Sequence, residues 1–342
     1  MRNRETDRER TELRIRRKQA DLSESDFQLR VIDVIHRVQQ SYWDLVAARY
    51  AAFLGAVAEG REYQETSTAV STSPPAESSA TPIEPAYLEG WAHSASSQEY
   101  LDTHKTRLVR TLEITPPGTA GDRILEMGAY LQITPALRSQ LGYGYVRGCY
   151  FGPAGQVDRR SVISESGEEF ACEIDLFNAE KDRFPYADGF FSTVLCGELI
   201  EHLFEDPMHL MSEVNRIVKP EGHFVLTTPN IAALRGIAAI LQGYHPGFFH
   251  AYIRPAESGE VAARHNREYT PREIHHLMEN AGFTVTLLET GPFRAEPRPQ
   301  DAWVIHLLAR YGLDTALRGD GIYAVGRKTG PVRERYPSWL YS

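Results

Sequence analysis

The sequence contains little cysteine, and this scarcity excludes two classes of protein. Only three cysteines occur among 342 residues, namely Cys149, Cys172 and Cys196, and they are widely spaced. Neither a disulfide scaffold nor a cysteine-based zinc motif fits so small and scattered a set. Each cysteine lies in an apolar run typical of a strand, so we interpret them as buried free thiols of a reducing compartment. The predicted location is the cytoplasm.

Long apolar runs and an excess of positive charge are also missing. No run approaches the roughly 18 to 20 apolar residues that a membrane-spanning helix needs, and the charged N-terminus lacks the apolar stretch of a secretory signal. The formal net charge is -9 and the pI is near 5.8. Because an acidic chain repels phosphate backbones, we expect no nucleic-acid partner.

Composition divides the chain into four predicted parts. Residues 1–63 predict a long amphipathic helix, because apolar residues recur there at helical spacing. Residues 64–86 are rich in Ser, Thr and Pro and indicate a linker. The globular domain is predicted over 87–330, followed by a C-terminal tail over 331–342. The apolar positions of the helix are Val31, Val34, Ile35, Val38, Tyr42 and Leu45.

The N-terminal helix carries a short resemblance of its own. Its string VIDVIHRVQQSYWDLVAAR resembles part of the periplasmic helical hairpin of TolC-type outer-membrane efflux proteins. The resemblance ends with this helix, which is too short to build a barrel or a tunnel, so it implies no efflux function. We interpret the segment as a helix that packs on the domain, contacts a protein partner or mediates self-association.

Beyond residue 87 the pattern alternates between strands and helices, which predicts an α/β fold with a mostly parallel sheet covered by helices on both faces. Ligands of such sheets bind beyond the carboxyl ends of the strands. The predicted strands are Arg123–Met127, Tyr145–Phe151, Phe170–Ile174, Thr193–Cys196, Phe224–Thr228, Thr284–Leu288 and Ile322–Val325. The predicted helices are Leu101–Leu112, Pro135–Leu141, Met208–Val218 and Pro271–Ala281.

The first segment that points to chemistry is RILEMGAY, residues 123–130. An apolar strand ends beside the acidic Glu126, and Gly128 opens a turn toward a helix. A glycine lets the backbone approach a ligand closely, and a helix N-terminus favours a carboxylate or phosphate. Many α/β folds contain such a turn, so this segment alone does not specify a ligand.

A second segment is far more specific. Residues 184–203 read FPYADGFFSTVLCGELIEHL, and EDP, EVNRIVKPEG and FVLTTPN follow at 205–207, 213–222 and 224–230. In order and spacing they resemble class I S-adenosylmethionine (SAM)-dependent methyltransferases. The segment RHNREYTPREI, residues 264–274, resembles the element before the sixth strand of that family. The resemblance spans about residues 115–290 and implies a Rossmann-like sandwich with a seven-stranded type of sheet.

The resemblance also implies which residues bind SAM. Glu126 and Gly128 correspond to the motif that cradles the methionine end of SAM, and Asn178 to the residue that bonds the adenine amino group. Backbone groups at the end of the fourth strand would face the sulfonium. The implied set is Glu126, Gly128, Tyr130, Tyr150, Asn178, Ala179, Cys196 and Gly197.

The chain departs from the family pattern at three places. Gly128 lacks the further glycines that normally follow it, and Ser192 stands where an aspartate is usual. Tyr150 or Phe151 stands where an acidic residue normally grips the ribose hydroxyls. A tyrosine can stack on adenine or bond ribose; if nothing replaced the carboxylate, SAM binding would weaken by about 1.5–3 kcal/mol.

Methyl transfer from a sulfonium needs no nucleophile from the protein, and positioning is worth up to about 7–11 kcal/mol. A hydroxyl acceptor additionally needs a general base. The first candidate is His265, whose segment returns toward the mouth of the site; His202 is the second, and Glu201 either assists or bonds a neighbouring loop. Each histidine also fits an ordinary surface or capping role. The histidines match no compact metal motif, so we predict no metal.

The aromatic stretch at residues 243–252 fits either a lid over the acceptor or an ordinary packed insertion. With SAM as cofactor, we predict O-methylation of a small-molecule, saccharide or lipid-linked acceptor. The main alternative is a non-catalytic methyltransferase fold that serves as a binding or scaffold module, suggested by the reduced glycine motif. A nicotinamide dehydrogenase is disfavoured, because Gly-x-Gly-x-x-Gly is missing after the first strand.

Overall fold

The computed structural model describes residues 83–92, 95–248, 264–292 and 302–341. The predicted N-terminal helix and all but the last residues of the predicted linker lie outside the described residues. The chain divides into two compact units. Residues 309–313 and 336–341 are the described part of one unit. The rest of the described chain belongs to the other unit, which contains the sheet.

Among the described residues, eight strands form one sheet. They are β1 (Arg123–Met127), β2 (Tyr145–Tyr150), β3 (Gln156–Ile163), β4 (Glu169–Leu176), β5 (Phe191–Gly197), β6 (Val218–Pro229), β7 (Phe283–Gly291) and β8 (Gly321–Lys328). Their order is β3-β4-β2-β1-β5-β6-β8-β7. The five strands from β4 to β6 in that order are mutually parallel, whereas β3 and β8 run antiparallel to their neighbours. The predicted Rossmann-like α/β sandwich is confirmed.

The helices connect these strands and cover them. They are α1 (Pro85–Glu89), α2 (Ala95–Ile114), α3 (Thr134–Ser139), a 3-10 turn (Ile200–His202), α4 (Pro207–Ile217), α5 (Leu234–Leu241), α6 (Pro271–Asn280) and α7 (Ala302–Arg310). Residues 309 and 310 of α7 are assigned to the other unit. Strands β1, β5 and β6 are buried along nearly their whole lengths rather than at alternate positions, except at the start of β1 and β6. Such continuous burial requires a layer on both faces of the sheet. No helix within the described residues is long and apolar enough to cross a membrane.

The sequence analysis did not predict one of the strands. Strand β3, QVDRRSVI, pairs antiparallel with β4 along its full length and lies at the edge of the sheet. None of its residues is fully buried, so it has no apolar face that marks a strand, and its charges suit an exposed edge. Its position follows from pairing with β4 rather than from its own pattern.

The boundary between α4 and β6 also differs from the prediction. The helix was expected to continue through Val218 and the strand to begin at Phe224. Instead α4 ends at Ile217 and β6 begins at once with Val218, which pairs with Phe191 before a shift in register. The Lys-Pro-Glu-Gly sequence, which resembles a turn, lies within an irregular start of the strand.

Candidate active site

A cleft of about 480 Å³ opens beyond the carboxyl ends of β1, β2, β4 and β5, the edge where the ligands of this fold class bind. Seven of the eight residues that the sequence assigned to SAM line it, namely Glu126, Gly128, Tyr130, Tyr150, Asn178, Ala179 and Gly197. The exception is Cys196. It is fully buried and does not line the cleft.

The turn after β1 has the backbone that its glycine predicts. Gly128 has a φ of +73°, and its N–H donates to the carbonyl of Cys149 on β2. A side chain at this position would meet nothing closer than Leu199, at 3.7 Å. The conformation and not the space therefore selects glycine. Leu131 also has a positive φ, 66°, an unfavourable conformation for a residue with a side chain.

Glu126 places a carboxyl group at the floor of the cleft. It is 6% exposed, and its Oε2 atom has no hydrogen-bond partner among the described residues. Burial raises the pKa of Glu126 to about 7, because a charged carboxylate loses hydration there. A cationic group in the cleft would restore the charged form.

Tyr130 and Tyr150 both line the cleft and contact each other there. Their hydroxyl groups lie 2.5 Å apart, and their rings meet edge-on with centroids 5.2 Å apart. The acidic residue nearest in the sheet, Asp175 on β4, is held by Arg147 and by the hydroxyl of Tyr186. This part of the cleft therefore offers two phenol hydroxyl groups to a ligand.

The loop after β4 presents Asn178 with its backbone fixed. The Asn178 N–H donates to Asp182, and its side-chain oxygen accepts from the N–H of Glu180. Neither bond uses the amide Nδ2 donor. One carboxylate oxygen of Glu180 accepts from the backbone N–H groups of Phe204, Glu205 and Asp206, which joins this loop to the segment after the 3-10 turn.

Sequence analysis missed Arg107, a buried cation on α2. It lines the cleft and is 4% exposed. Its Nη2 donates to the hydroxyl of Tyr100 at 2.9 Å, and its Nε lies 3.9 Å from Oε2 of Glu198. Arg107 lies seven residues after Tyr100 and four before Thr111, both of which also line the cleft, so all three share one face of the helix. An arginine on the helix face that is expected to be buried is the sequence signal that could have identified this residue.

Glu198 directly follows β5 and lines the cleft. Its φ of +51° is strained for a non-glycine residue. The hydroxyl of Thr227 donates to its Oε1 at 3.0 Å. This contact and the nearby Arg107 hold a strained acidic residue at the point where β5 ends.

Beside the cleft the structure brings together the three predicted catalytic residues, Glu201, His202 and His265, which we term the acid–histidine cluster. The Nε2 atoms of both histidines lie 3.9 Å from Oε1 of Glu201, and the two imidazole rings are 5.0 Å apart. His202 lines the cleft, whereas Glu201 and His265 do not. Burial raises the pKa of Glu201 well above its usual range and lowers that of His202.

The carboxylate of Glu201 is fully buried. Its Oε2 accepts from the hydroxyl of Thr228 at 2.9 Å, while Oε1 has no hydrogen-bond partner among the described residues. The alternative in which Glu201 bonds a neighbouring loop holds for its backbone: its carbonyl oxygen accepts from the N–H groups of Asn266 and Arg267.

Both histidines are oriented by partners outside the cluster. Nδ1 of His202 lies 2.9 Å from the carbonyl oxygen of Arg264, and Nδ1 of His265 lies 2.9 Å from Oε1 of Glu268. The same Glu268 oxygen accepts from the N–H of Phe248. Each ring is therefore fixed on the side that faces away from Glu201.

The strand order, together with a cleft beyond the central strands, defines a Rossmann-like enzyme of the class I SAM-dependent methyltransferase type. Residues 98–288, more than half of the chain, match the family described as "Methyltransferase domain". The chain belongs to this family. It is a SAM-dependent methyltransferase, and SAM is its methyl donor.

Several solved structures are similar to this chain at low identity. A chain of the Haloferax volcanii complex that contains the Trm112 methyltransferase activator is 18% identical, with a TM-score of 0.45 over 71% of this chain and 96% of that one. A SAM-dependent methyltransferase from Archaeoglobus fulgidus is 13% identical, with a TM-score of 0.41 over 71% and 98%. One from Aquifex aeolicus is 10% identical, with a TM-score of 0.36 over 72% and 99%. No curated protein gave a significant match.

Proposed function

We propose that this enzyme transfers a methyl group from SAM to a hydroxyl oxygen of a small-molecule, saccharide or lipid-linked acceptor in the cytoplasm, and that nucleic acid is not a substrate. The observation that carries the proposal is the acid–histidine cluster at the border of the cleft. An amine acceptor that is already neutral needs no strong base, whereas a hydroxyl must lose its proton during transfer.

Two buried charges would hold the amino-acid end of SAM. The carboxyl of Glu126, whose Oε2 lacks a partner among the described residues, fits the ammonium group. The guanidinium of Arg107, buried in the wall of the cleft on α2, fits the carboxylate. Charge-assisted bonds of this kind are the strong ones in a site shielded from water.

The remaining predicted residues would hold the nucleoside. The paired phenols of Tyr130 and Tyr150 would bond the ribose hydroxyls. Asn178 would accept from the adenine amino group with its Oδ1 and donate from Nδ2 to a ring nitrogen. Ala179, Cys196 and Gly197 would contribute backbone groups. When bound, SAM supplies a methyl group that is already activated, so the protein has to orient the acceptor and remove a proton.

His202 is the member of the cluster that reaches the cleft, and we propose it as the group that accepts the acceptor's proton. With Nδ1 donating to a carbonyl oxygen, its neutral ring has a lone pair on Nε2. His265, the first candidate from the sequence, and Glu201 would position this ring from behind.

Aromatic side chains at the mouth of the cleft support an acceptor with an apolar face. Phe151 lines the cleft and is 73% exposed, and Phe204, next to the lining residue Leu203, is 80% exposed. Clefts lined mainly by apolar and aromatic side chains are typical of small-molecule sites. Sugar rings and lipid chains both pack on such faces.

The test begins with titration calorimetry of the full chain against SAM and S-adenosylhomocysteine. We expect micromolar binding that is lost in Gly128→Val. Gly155→Val is the matched control, because Gly155 also has a positive φ (+85°) but lies in open space outside the cleft. Absence of binding by the folded wild-type chain would favour the non-catalytic alternative.

The acceptor is then sought by following S-adenosylhomocysteine release with saccharides, lipid-linked saccharides, phenols and amines. We expect turnover with a hydroxyl compound and an O-methyl product by mass spectrometry and NMR. His202→Asn should lower kcat while leaving the Kd for SAM unchanged. Turnover with amines alone would overturn the hydroxyl proposal.

A further inference from the structure

We propose that Glu201, His202 and His265 bind one divalent transition-metal cation. The ligand atoms of these residues, a carboxylate oxygen and two imidazole nitrogens, all lie within 4.8 Å of one another. Two side chains come from the segment after β5, and the third comes from the segment before α6. Metal binding stands on this geometry, whereas its role in methyl transfer rests on the proposed function.

The positions of the protons argue for a cation. A carbonyl oxygen cannot donate a hydrogen bond, so the contact between Nδ1 of His202 and the carbonyl of Arg264 places a proton on Nδ1. In His265, Nδ1 faces a carboxylate oxygen of Glu268 and is likewise the donor. A neutral imidazole with its proton on Nδ1 has a lone pair on Nε2. Both Nε2 lone pairs lie beside Oε1 of Glu201, which a cation would hold as a charged carboxylate and a third ligand atom.

The buried carboxylate oxygen makes this arrangement costly without a positive charge. Oε1 of Glu201 has no hydrogen-bond partner among the described residues, while Oε2 is occupied by Thr228. A buried acceptor without a partner costs about 1–3 kcal/mol, more when it is charged. At 3.9 Å, neither histidine is within hydrogen-bond distance of Oε1. A cation bound beside Oε1 would supply the partner that this oxygen lacks among the described residues.

The distances and surroundings suit a metal site that closes on binding. Metal–ligand bonds of about 2.1 Å place tetrahedral ligand atoms about 3.4 Å apart, so the two 3.9 Å distances to Glu201 would have to shorten by about half an ångström. Both rings are oriented on their far sides by a carbonyl and a carboxylate, the arrangement that fixes histidine ligands in metal proteins. Backbone bonds from Asn266 and Arg267 to Glu201 hold the two segments together.

The donor set selects the class of cation. Two imidazole nitrogens and one carboxylate oxygen suit Zn²⁺, Fe²⁺, Co²⁺ or Mn²⁺ better than Ca²⁺ or Mg²⁺, which prefer oxygen ligands. Three protein ligands leave at least one position for another molecule, and His202 lines the cleft where an acceptor would enter.

Such a cation would lower the pKa of an acceptor hydroxyl bound beside it. The hydroxyl then loses its proton to solvent, and its oxygen attacks the methyl carbon of SAM. The new C–O bond forms as the C–S bond breaks, which leaves S-adenosylhomocysteine. With the cation bound, His202 is a metal ligand; in the metal-free enzyme its Nε2 lone pair takes the acceptor's proton, as in the proposed function.

A second trio on α6 provides a matched control. His275, His276 and Glu279 also lie within ligand distance of one another, but they project from one helix, and the Glu279 side chain is 42% exposed. None of these residues lines the cleft. The double variant His275→Ala/His276→Ala therefore removes the same number of histidines from a site that we do not assign to function.

The test is titration of the full chain, after treatment with a chelator, with Co²⁺. Wild type should bind one Co²⁺ per chain, with visible d–d absorption bands that Zn²⁺ displaces. Glu201→Gln, which preserves shape and the bond from Thr228, and His265→Ala should each weaken binding at least 100-fold. The α6 double variant should retain it. Circular dichroism establishes that each variant is folded.

The outcomes separate the metal from the methyl transfer. No cobalt binding by wild type, or binding lost only in the α6 double variant, would overturn the metal site. Undiminished hydroxyl methylation by chelator-treated, metal-free enzyme would overturn the cation's role in the reaction. Stoichiometric cobalt binding without methylation of any hydroxyl compound would support the metal site and defeat the proposed acceptor class.

Discussion

The carbonyl oxygen of Glu201 accepts hydrogen bonds from the backbone N–H groups of Asn266 and Arg267, and this joins two segments that are far apart in the sequence. The side chain of Asn266 adds a bond to the carbonyl of His202. Because of these three bonds, His265 is carried to within 3.9 Å of the Glu201 carboxylate. The acid–histidine cluster is therefore built by backbone pairing as much as by its own side chains.

Replacing Glu268 tests how strongly its contact with Nδ1 of His265 orients the imidazole ring. Glu268→Gln keeps the size of the side chain but weakens the acceptor that faces Nδ1. Loss of an outer partner lowers metal affinity by about 10–100-fold, so Co²⁺ affinity should fall by that factor and SAM affinity should stay the same. An unchanged Co²⁺ titration would show that the ring is oriented without Glu268.

Arg107→Met should weaken SAM binding by about 10–100-fold, since a charge-assisted hydrogen bond is worth about 1.5–3 kcal/mol. Calorimetry with SAM measures the loss. Adenosine serves as the control ligand, because it lacks the carboxylate that Arg107 is proposed to bind, and its affinity should change little. Equal losses for both ligands would show that the substitution damages the cleft as a whole.

Removing one hydroxyl of the phenol pair should have a smaller effect. Tyr150→Phe breaks the contact with Tyr130 and removes one group proposed for the ribose. A neutral hydrogen bond contributes about 0.5–1.5 kcal/mol, so the Kd for SAM should rise by roughly 2–13-fold. Tyr145→Phe, on the same strand but outside the cleft, should leave the Kd unchanged.

Glu126 makes stability depend on pH. Its pKa is raised by burial to about 7 from an unfolded value near 4.5. Between these values the folded state binds more protons than the unfolded state, so the free energy of unfolding falls as pH rises through this window, by up to about 3 kcal/mol. Urea denaturation of wild type and Glu126→Gln should show this slope only in wild type.

The raised pKa of Glu126 also predicts that protons are released when SAM binds. A ligand ammonium beside Glu126 favours the carboxylate and lowers its pKa, so binding near pH 7 should release a fraction of a proton. Calorimetry in two buffers of different ionisation enthalpy detects it, and Glu126→Gln should abolish it. Identical heats in both buffers with wild type would argue against contact between this carboxyl and the cofactor.

An ion pair in the sheet provides a stability test away from the cluster. Arg147 makes two hydrogen bonds of 2.7 Å to the largely buried Asp175. Arg147→Met leaves that carboxylate without its cation and should cost about 3–5 kcal/mol. Arg159→Met removes an arginine that is 84% exposed and should cost less than about 1 kcal/mol. Urea denaturation compares the two variants.

Much of the fold was readable from the sequence because the signals act between near neighbours in the chain. Apolar runs located seven of the eight strands, and Thr270 and Glu273 form the capping box that starts α6. The strand that the sequence predicts before Gly128, and the turn at this glycine, are both present in the structure. The methyltransferase signature over residues 184–230 specified the family, and the family fixed the order of the central strands.

The tertiary structure alone decided the rest. Strand β3 exists because it pairs with β4, and Arg107 belongs to the cleft because the fold places one face of α2 against it. His265 meets Glu201 only because backbone hydrogen bonds join their segments. In the sequence the two residues are far apart, so no compact metal-binding motif marks them. Helix periods and caps depend on residues a few positions apart, whereas a site assembled across a sheet depends on which distant segments the strand order makes neighbours.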